Sequence, residues 1–226
     1  MTTIRSTKIR DFAELLIGYG LILAVIWIPG PWQRILYWSA FAWITVVSIL
    51  RRKDTESHGL GFRGLLASLW VVGVAVALAA AAVWTAARMH TLHGLYGNVP
   101  LGLHMWGYAV WALMQQFILQ VYILQRLIRM AMPRRPAVAL AAVLFMAAHI
   151  PNPLLMALTL VWGVVSCSLF LRYRNLWTLG LAHAILGICI AVTVPDAVHR
   201  HMRVGLGYLH YHAHRHHGHR PIVRTS

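Results

Sequence analysis

The chain has 226 residues, 59% of them hydrophobic, with a mean hydropathy of +0.64. It carries 20 Lys and Arg against five carboxylates, Asp11, Glu14, Asp54, Glu56 and Asp196, for a formal charge of +15. Such hydropathy excludes an ordinary soluble domain. The basic residues cluster between apolar runs, which points to anionic lipid head groups as their partners and away from nucleic acid.

A membrane span needs about 20 apolar residues. Seven segments qualify or come close: 12–28, 34–50, 64–87, 101–130, 137–150, 154–171 and 176–194. The first follows a basic start (Arg5, Lys8, Arg10) and has no small-residue cleavage site after it, so it reads as a retained helix rather than a signal peptide. "PGP" at 29–31 makes a turn, and "RRKDTESHGLGFRG" at 51–64 a polar loop. The fourth segment is long enough to extend past the bilayer. "PRRP" at 133–136 and "PNP" at 151–153 break helices, because proline lacks the amide donor and restricts its predecessor. They bound a short fifth segment that reads as tilted or re-entrant. Cys167 and Cys189 lie inside apolar runs, where thiols behave as small hydrophobes. The reading is an all-α, polytopic helical bundle of about seven transmembrane helices in one domain, 1–195, followed by a basic, His-rich, interfacial or disordered tail, 196–226.

Lys and Arg counts in the short loops set the orientation. The N-terminus and the loops at 51–63, 126–135 and 172–174 are basic, whereas those at 29–33, 88–100 and 151–153 carry a single Arg88. This predicts a multi-pass protein of a bacterial inner membrane with its N-terminus cytoplasmic. The same alternation puts the basic tail on the opposite side. Either the tail lies on the membrane surface, as the mixed basic and apolar stretch 196–209 suggests, or one span is miscounted. The run "HYHAHRHHGH" at 210–219 holds six histidines and can bind Zn, Cu or Ni, although such tracts are commonly solvated tails with incidental metal affinity.

Polar residues at membrane depth need partners, and by default they mark functional sites. "WALMQQFILQ" at 111–120 holds Gln115, Gln116 and Gln120; the last two, four apart, share a helix face. As interhelical glue alone, each contact would contribute about 0.6 kcal/mol. "LFMAAHIPNP" places Phe145 four residues before His149, with Asn152 after Pro151. "LGLAHAILGI" surrounds His183 with the small Gly180, Ala182, Ala184 and Gly187, which suit close helix packing and also leave room for a ligand. Two histidines and a glutamine cluster are more than glue needs, so a shared cavity is the preferred reading.

A double polar residue, then FxxxH, then a histidine on the last span resembles the CAAX-protease and bacteriocin-processing family of intramembrane peptidases. Their pattern is EExxxR, FxxxH and HxxxN or HxxxD. The resemblance covers about 101–195. It implies an all-helical, multi-spanning protein that cleaves peptide bonds near or within the membrane, with a glutamate and a histidine activating water. Carried over, Gln115 and Gln116 stand where the paired glutamates would be and Gln120 where the arginine would be. Phe145 and His149 match FxxxH; His183 matches the last histidine, with Gly187 in place of Asn or Asp. The implied catalytic set is His149, His183, Gln115 and Gln116, with Gln120, Phe145 and Asn152 toward a hydrophobic peptide bearing a prenyl or isoprenoid group. His149 and His183 would also be two ligands for a divalent metal such as zinc, against the usual three plus water; the cofactor is such an ion or none.

The departures have chemical meaning. Glutamine has the shape of glutamate but cannot take a proton as a general base. Replacing EE and R by neutral amides removes the cost of burying those charges. Two main readings follow, beside a third in which histidine serves as an acid-base group for non-peptidase chemistry on an isoprenoid. In one the protein keeps hydrolytic chemistry, with His149 as base, His183 positioning water or an oxyanion, and Gln115 and Gln116 orienting substrate. In the other it is a non-catalytic relative that binds a lipid, an isoprenoid or a membrane peptide.

Overall fold

The computed structural model describes residues 2–50, 59–94 and 101–211; among them every regular element is helical. The order is α1 (Thr2–Trp27), α2 (Pro31–Leu50), α3 (Leu65–Arg88), α4 (Leu101–Phe117), a π-helical stretch (Ile118–Leu124), α5 (Gln125–Arg129), α6 (Arg134–Ala147), α7 (Pro153–Tyr173) and α8 (Leu176–Thr193). Two short helices, α9 (Asp196–His199) and α10 (Gly205–Leu209), follow around a single 3-10 turn. Because α4, the π stretch and α5 form one continuous rod, the long helices coincide in order with the seven predicted segments. Five of them, α2, α3, the rod from Met105 to Arg129, α7 and α8, are long and apolar enough to cross a membrane. The expected count of about seven stands at five by that measure: α1 carries Arg10, Asp11 and Glu14, and α6 has only 14 residues.

The bundle has a basic end and a far end. At the basic end, α1 begins ten residues before the predicted apolar segment because its carboxylates have partners on α5. The Arg129 guanidinium lies on Asp11, with Nη2 3.1 Å from Oδ1, and Arg126 Nη2 is 3.4 Å from Glu14 Oε2. Arg126 is 1% exposed, lies 3.7 Å over the Tyr122 ring and donates to the Tyr122 carbonyl. The Tyr122 hydroxyl donates to the Glu14 carbonyl and accepts from Trp43 Nε1 at 3.0 Å, tying α1, α2 and the rod together. Ser68 and Thr178 hydroxyls join α3 to α8 across 2.9 Å. The Asn175 side chain caps α8 by accepting from Thr178 N, satisfying an end donor that the helix itself cannot.

At the far end, His93 N donates to Val192 O and Thr91 Oγ1 to Thr193 O, closing α3 onto α8. Asn152 caps α7 with Pro153 at the first helical position, the place where proline costs nothing. Its Nδ2 donates to His199 O and Arg203 O, and Gly205 N donates to Ile150 O, so residues 196–211 fold back over the α6–α7 turn. Gly205 has φ +54, and a Cβ there would run into Ile26 of α1. The C-terminal segment therefore lies at the end opposite α5, as the alternation of helices requires, packed on the bundle. The predicted His-rich run lies outside the described residues apart from His210 and Tyr211.

Between the two ends, α3 and α4 pack on α8, α6 on α7, and α1 on α2. Leu119–Leu124 are all buried, because the rod has neighbours on every side. The outer faces are apolar, as lipid contact demands: Leu66 is 82% and Val161 65% exposed. Exposed tryptophans stand near both ends, Trp32, Trp84 and Trp106 toward the far end and Trp70 and Trp177 toward the basic end, while Trp38 and Trp111 lie deeper along their helices. This is an integral membrane protein.

Candidate functional site

A cleft of about 1250 Å³ opens between α3 and α7 and runs inward to α8 and the rod. Its mouth is formed by lipid-facing Trp70, Val74 and Leu78 of α3 and Val161 and Val165 of α7. Trp70 Nε1 donates to the Tyr173 hydroxyl at 3.3 Å and closes the gap at the basic end. Met202, Arg203 and Val204 of the C-terminal segment wall the far end. The lining is apolar except for a few groups, of which Gln115, His149 and His183 form the inner polar edge. A smaller cavity of about 180 Å³ between α1, α2 and the rod meets the cleft at Gln115 and His149, and Phe145 lines it.

Behind that edge lies a hydrogen-bonded chain. The Ser166 hydroxyl donates to Gly163 O at 3.4 Å, and its oxygen accepts from Gln120 Nε2 at 3.1 Å. Gln120 Nε2 also donates to Gln116 Oε1 at 3.1 Å, and Gln116 Nε2 donates to His183 Nδ1 at 3.1 Å. Gln116, Gln120 and Ser166 are fully buried. An amide nitrogen can only donate, so His183 Nδ1 accepts and the neutral ring carries its proton on Nε2. His149 is set the other way. Its Nδ1 lies 2.7 Å from the Phe145 carbonyl, which can only accept, so the proton is on Nδ1 and Nε2 keeps its lone pair. Phe145 meets both rings edge-on, with centroids 5.0 Å from His149 and 6.0 Å from His183, and Trp162 lies 6.0 Å from His183. The edge thus offers one imidazole donor, one imidazole acceptor and the Gln115 amide.

The local fold explains this placement. The π-helical stretch begins two residues after Gln116 and contains Gln120, and such stretches recur at functional sites. Gly180 meets Leu113 of α4, with the Leu113 Cα 3.2 Å from where a Cβ would stand, so α8 packs closely against the rod and His183 reaches Gln116. A Cβ on Gly187 would collide with the Tyr108 hydroxyl, which takes the room of a larger side chain there.

Of the predicted residues, Gln115, His149 and His183 line the cleft, while Gln116 and Gln120 stand behind His183. Asn152 is fully buried, and its amide goes to the α7 cap and the C-terminal backbone rather than to the cleft. Ser166, Trp162 and Tyr108 were not anticipated; Ser166 was signalled only as a polar residue in an apolar run.

Among the described residues, the lining contains no carboxylate. Asp11 and Glu14 pair with arginines at the basic end, and Asp196 lies at the far end among histidines. Among the described residues, no third histidine, cysteine or carboxylate joins His149 and His183 in a group able to hold an ion. Two imidazoles fall short of the three protein ligands of a catalytic zinc site, so no step is derived through a metal here.

No curated protein and no solved structure matches the chain. A family profile described as Type II CAAX prenyl endopeptidase Rce1-like matches residues 33–189, a range that contains the cleft's whole polar edge and the amide chain behind it. The chain belongs to the Rce1-like family of type II CAAX prenyl endopeptidases.

Proposed function

We propose that the protein takes a prenylated or similarly lipid-bearing peptide from the bilayer into the α3–α7 cleft and holds it there without cleaving it by the carboxylate route. The apolar chain lies between α3 and α7. The polar end meets the His183 Nε2 proton, the His149 Nε2 lone pair and the Gln115 amide. The observation that carries this reading is the neutral Ser166–Gln120–Gln116–His183 chain at the head of an apolar cleft that no carboxylate lines. A peptide carbonyl can accept from His183 and a peptide N–H can donate to His149, whereas water activation at neutral pH calls for a base of suitable pKa. The basic loops support a cytoplasmic N-terminus, in what we read as a bacterial inner membrane.

A second reading keeps hydrolysis, with His149 as the base. It is favoured by one observation: the Phe145 carbonyl fixes the His149 proton on Nδ1 and leaves Nε2 basic on the cleft wall. One experiment separates the two. The full chain in liposomes is offered a fluorescent farnesylated tetrapeptide-terminated peptide. Saturable binding that weakens about tenfold in His149→Ala and His183→Ala, with no product, is expected. Cleavage that disappears in His149→Ala establishes the second reading, and absence of binding overturns both. Cleavage acquired by the Gln115→Glu/Gln116→Glu double variant would show a peptidase frame that lacks only its base.

A further inference from the structure

The geometry points to a second site, a divalent transition-metal clip at the far end formed by His93, Asp196 and His199. One ligand atom from each lies within 4.8 Å of the other two. His93 follows α3, whereas Asp196 and His199 belong to α9, so an ion here would join segments about a hundred residues apart. Asp196 Oδ1 is 4.0 Å from His93 Nε2 and 3.7 Å from His199 Nε2. Donor atoms around a tetrahedral zinc stand about 3.4 Å apart, so Asp196 must close on the two rings by about 0.3–0.6 Å and the two rings on each other by up to about 1.4 Å.

The contacts of His93 fit ligation. His93 Nδ1 donates to the Thr91 carbonyl at 3.0 Å, which turns Nε2 toward Asp196; a backbone carbonyl on the remote nitrogen is how ligating histidines are commonly oriented. The His93 and His199 rings lie nearly parallel, 6.2 Å apart at 24°. His201 Nε2 is 3.5 Å from Asp196 Oδ2, the other carboxylate oxygen. Imidazole and carboxylate together suit zinc, nickel or copper rather than calcium or magnesium.

Loading the site has a definite local consequence. His199 Nε2 now donates to Val194 O at 2.7 Å, and Nδ1 accepts from Met202 N at 3.1 Å. When Nε2 binds the ion, its proton moves to Nδ1, the ring stays neutral, and both hydrogen bonds are exchanged for the metal bond. The turn at Arg200–Met202 must then rearrange. Met202 and Arg203 wall the cleft, so the ion would reset one wall of the lipid-facing cavity.

The test must separate this site from the His-rich run. In the full-length protein in detergent, His210, His212, His214, His216, His217 and His219 are replaced by Asn, and zinc chloride is titrated calorimetrically. One zinc per chain is expected, with affinity at least about tenfold lower after adding His93→Gln or Asp196→Asn. His93 and Asp196 are both only partly buried, so neither substitution removes a core side chain. Cobalt added to the tail-substituted parent should give visible absorption bands of a tetrahedral nitrogen and oxygen site, a readout that needs no variant at the cluster. A tail-substituted protein that takes up no zinc, or one whose zinc affinity and cobalt bands are unchanged by both cluster variants, overturns the proposal.

Discussion

Gln116 Nε2 donates to His183 Nδ1 across 3.1 Å, and this bond decides which nitrogen of His183 meets the cleft. Gln116 can make it because its own oxygen is held by Gln120, which is held in turn by Ser166. With the amides set this way the imidazole carries its proton on Nε2, while Gln120 Oε1 is left buried without a hydrogen-bond partner among the described residues. In hydrocarbon an unpartnered amide is costly, so the chain specifies the site as well as stabilising it.

Gln116→Leu keeps the volume but leaves His183 Nδ1 and part of Gln120 buried without partners. The expected loss is about 1–3 kcal/mol of stability, read as a lower thermal midpoint in detergent. Gln116→Glu should lose less as the protonated acid, which can still accept from Gln120 and donate to His183 Nδ1, whereas the ionised form would be a buried charge without a counter-charge. Equal midpoints for wild type and Gln116→Leu would show that the chain contributes nothing.

The two ion pairs between α1 and α5 should respond unequally. Arg126 is almost wholly buried, so Glu14→Gln leaves a guanidinium in the interior without its counter-charge, at a cost of about 3–5 kcal/mol. Arg129 is 35% exposed and can turn to water, so Asp11→Asn should cost clearly less. Thermal unfolding of the two variants side by side checks this; a larger loss for Asp11→Asn would reverse the assignment of which pair anchors α1.

These pairs show what the sequence reveals and what it hides. The convergence of Gln116, Gln120 and His183 was legible, because amides at membrane depth must find partners and few polar groups were on offer. The carboxylates of α1 were read only as part of the charge balance and the arginines of α5 only as lipid contacts. A signal did exist: Asp11 and Glu14 are three apart, as are Arg126 and Arg129, so each pair shares a helix face and the two can mesh. Asn152 was placed toward the substrate by its neighbourhood, although Asn before Pro at a helix start is an N-cap signature. The π-helical stretch left no mark in the residue pattern, since Leu119–Leu124 would be buried in any helix so surrounded. His93 and Asp196 meet through the packing of α3 on α8, which no spacing along the chain encodes.

Gly187 marks the departure where the resembled family has Asn or Asp, and Tyr108 accounts for it. Because the Tyr108 hydroxyl fills the space of a Cβ, Gly187→Asn should be overpacked by about 1–3 kcal/mol. Tyr108→Ala should relieve most of that, giving a coupling of about 0.5–3 kcal/mol in a double-mutant cycle. Additive effects would mean that Tyr108 is not what excludes the larger residue.

The cleft mouth allows a test of entry apart from chemistry. Val74 is 48% exposed and lines the mouth, whereas Val76, 51% exposed on the same helix, does not. Both face lipid, so a tryptophan at either should change stability by no more than about 0.5 kcal/mol. Val74→Trp narrows the gap between α3 and α7, and prenyl-peptide affinity should fall roughly tenfold, equivalent to about 1.4 kcal/mol. Val76→Trp should leave it unchanged. Equilibrium binding of the fluorescent peptide to the two variants measures the difference. If both bind as wild type, the apolar chain does not enter between α3 and α7, and the lateral route is wrong whatever His149 and His183 do at its inner end.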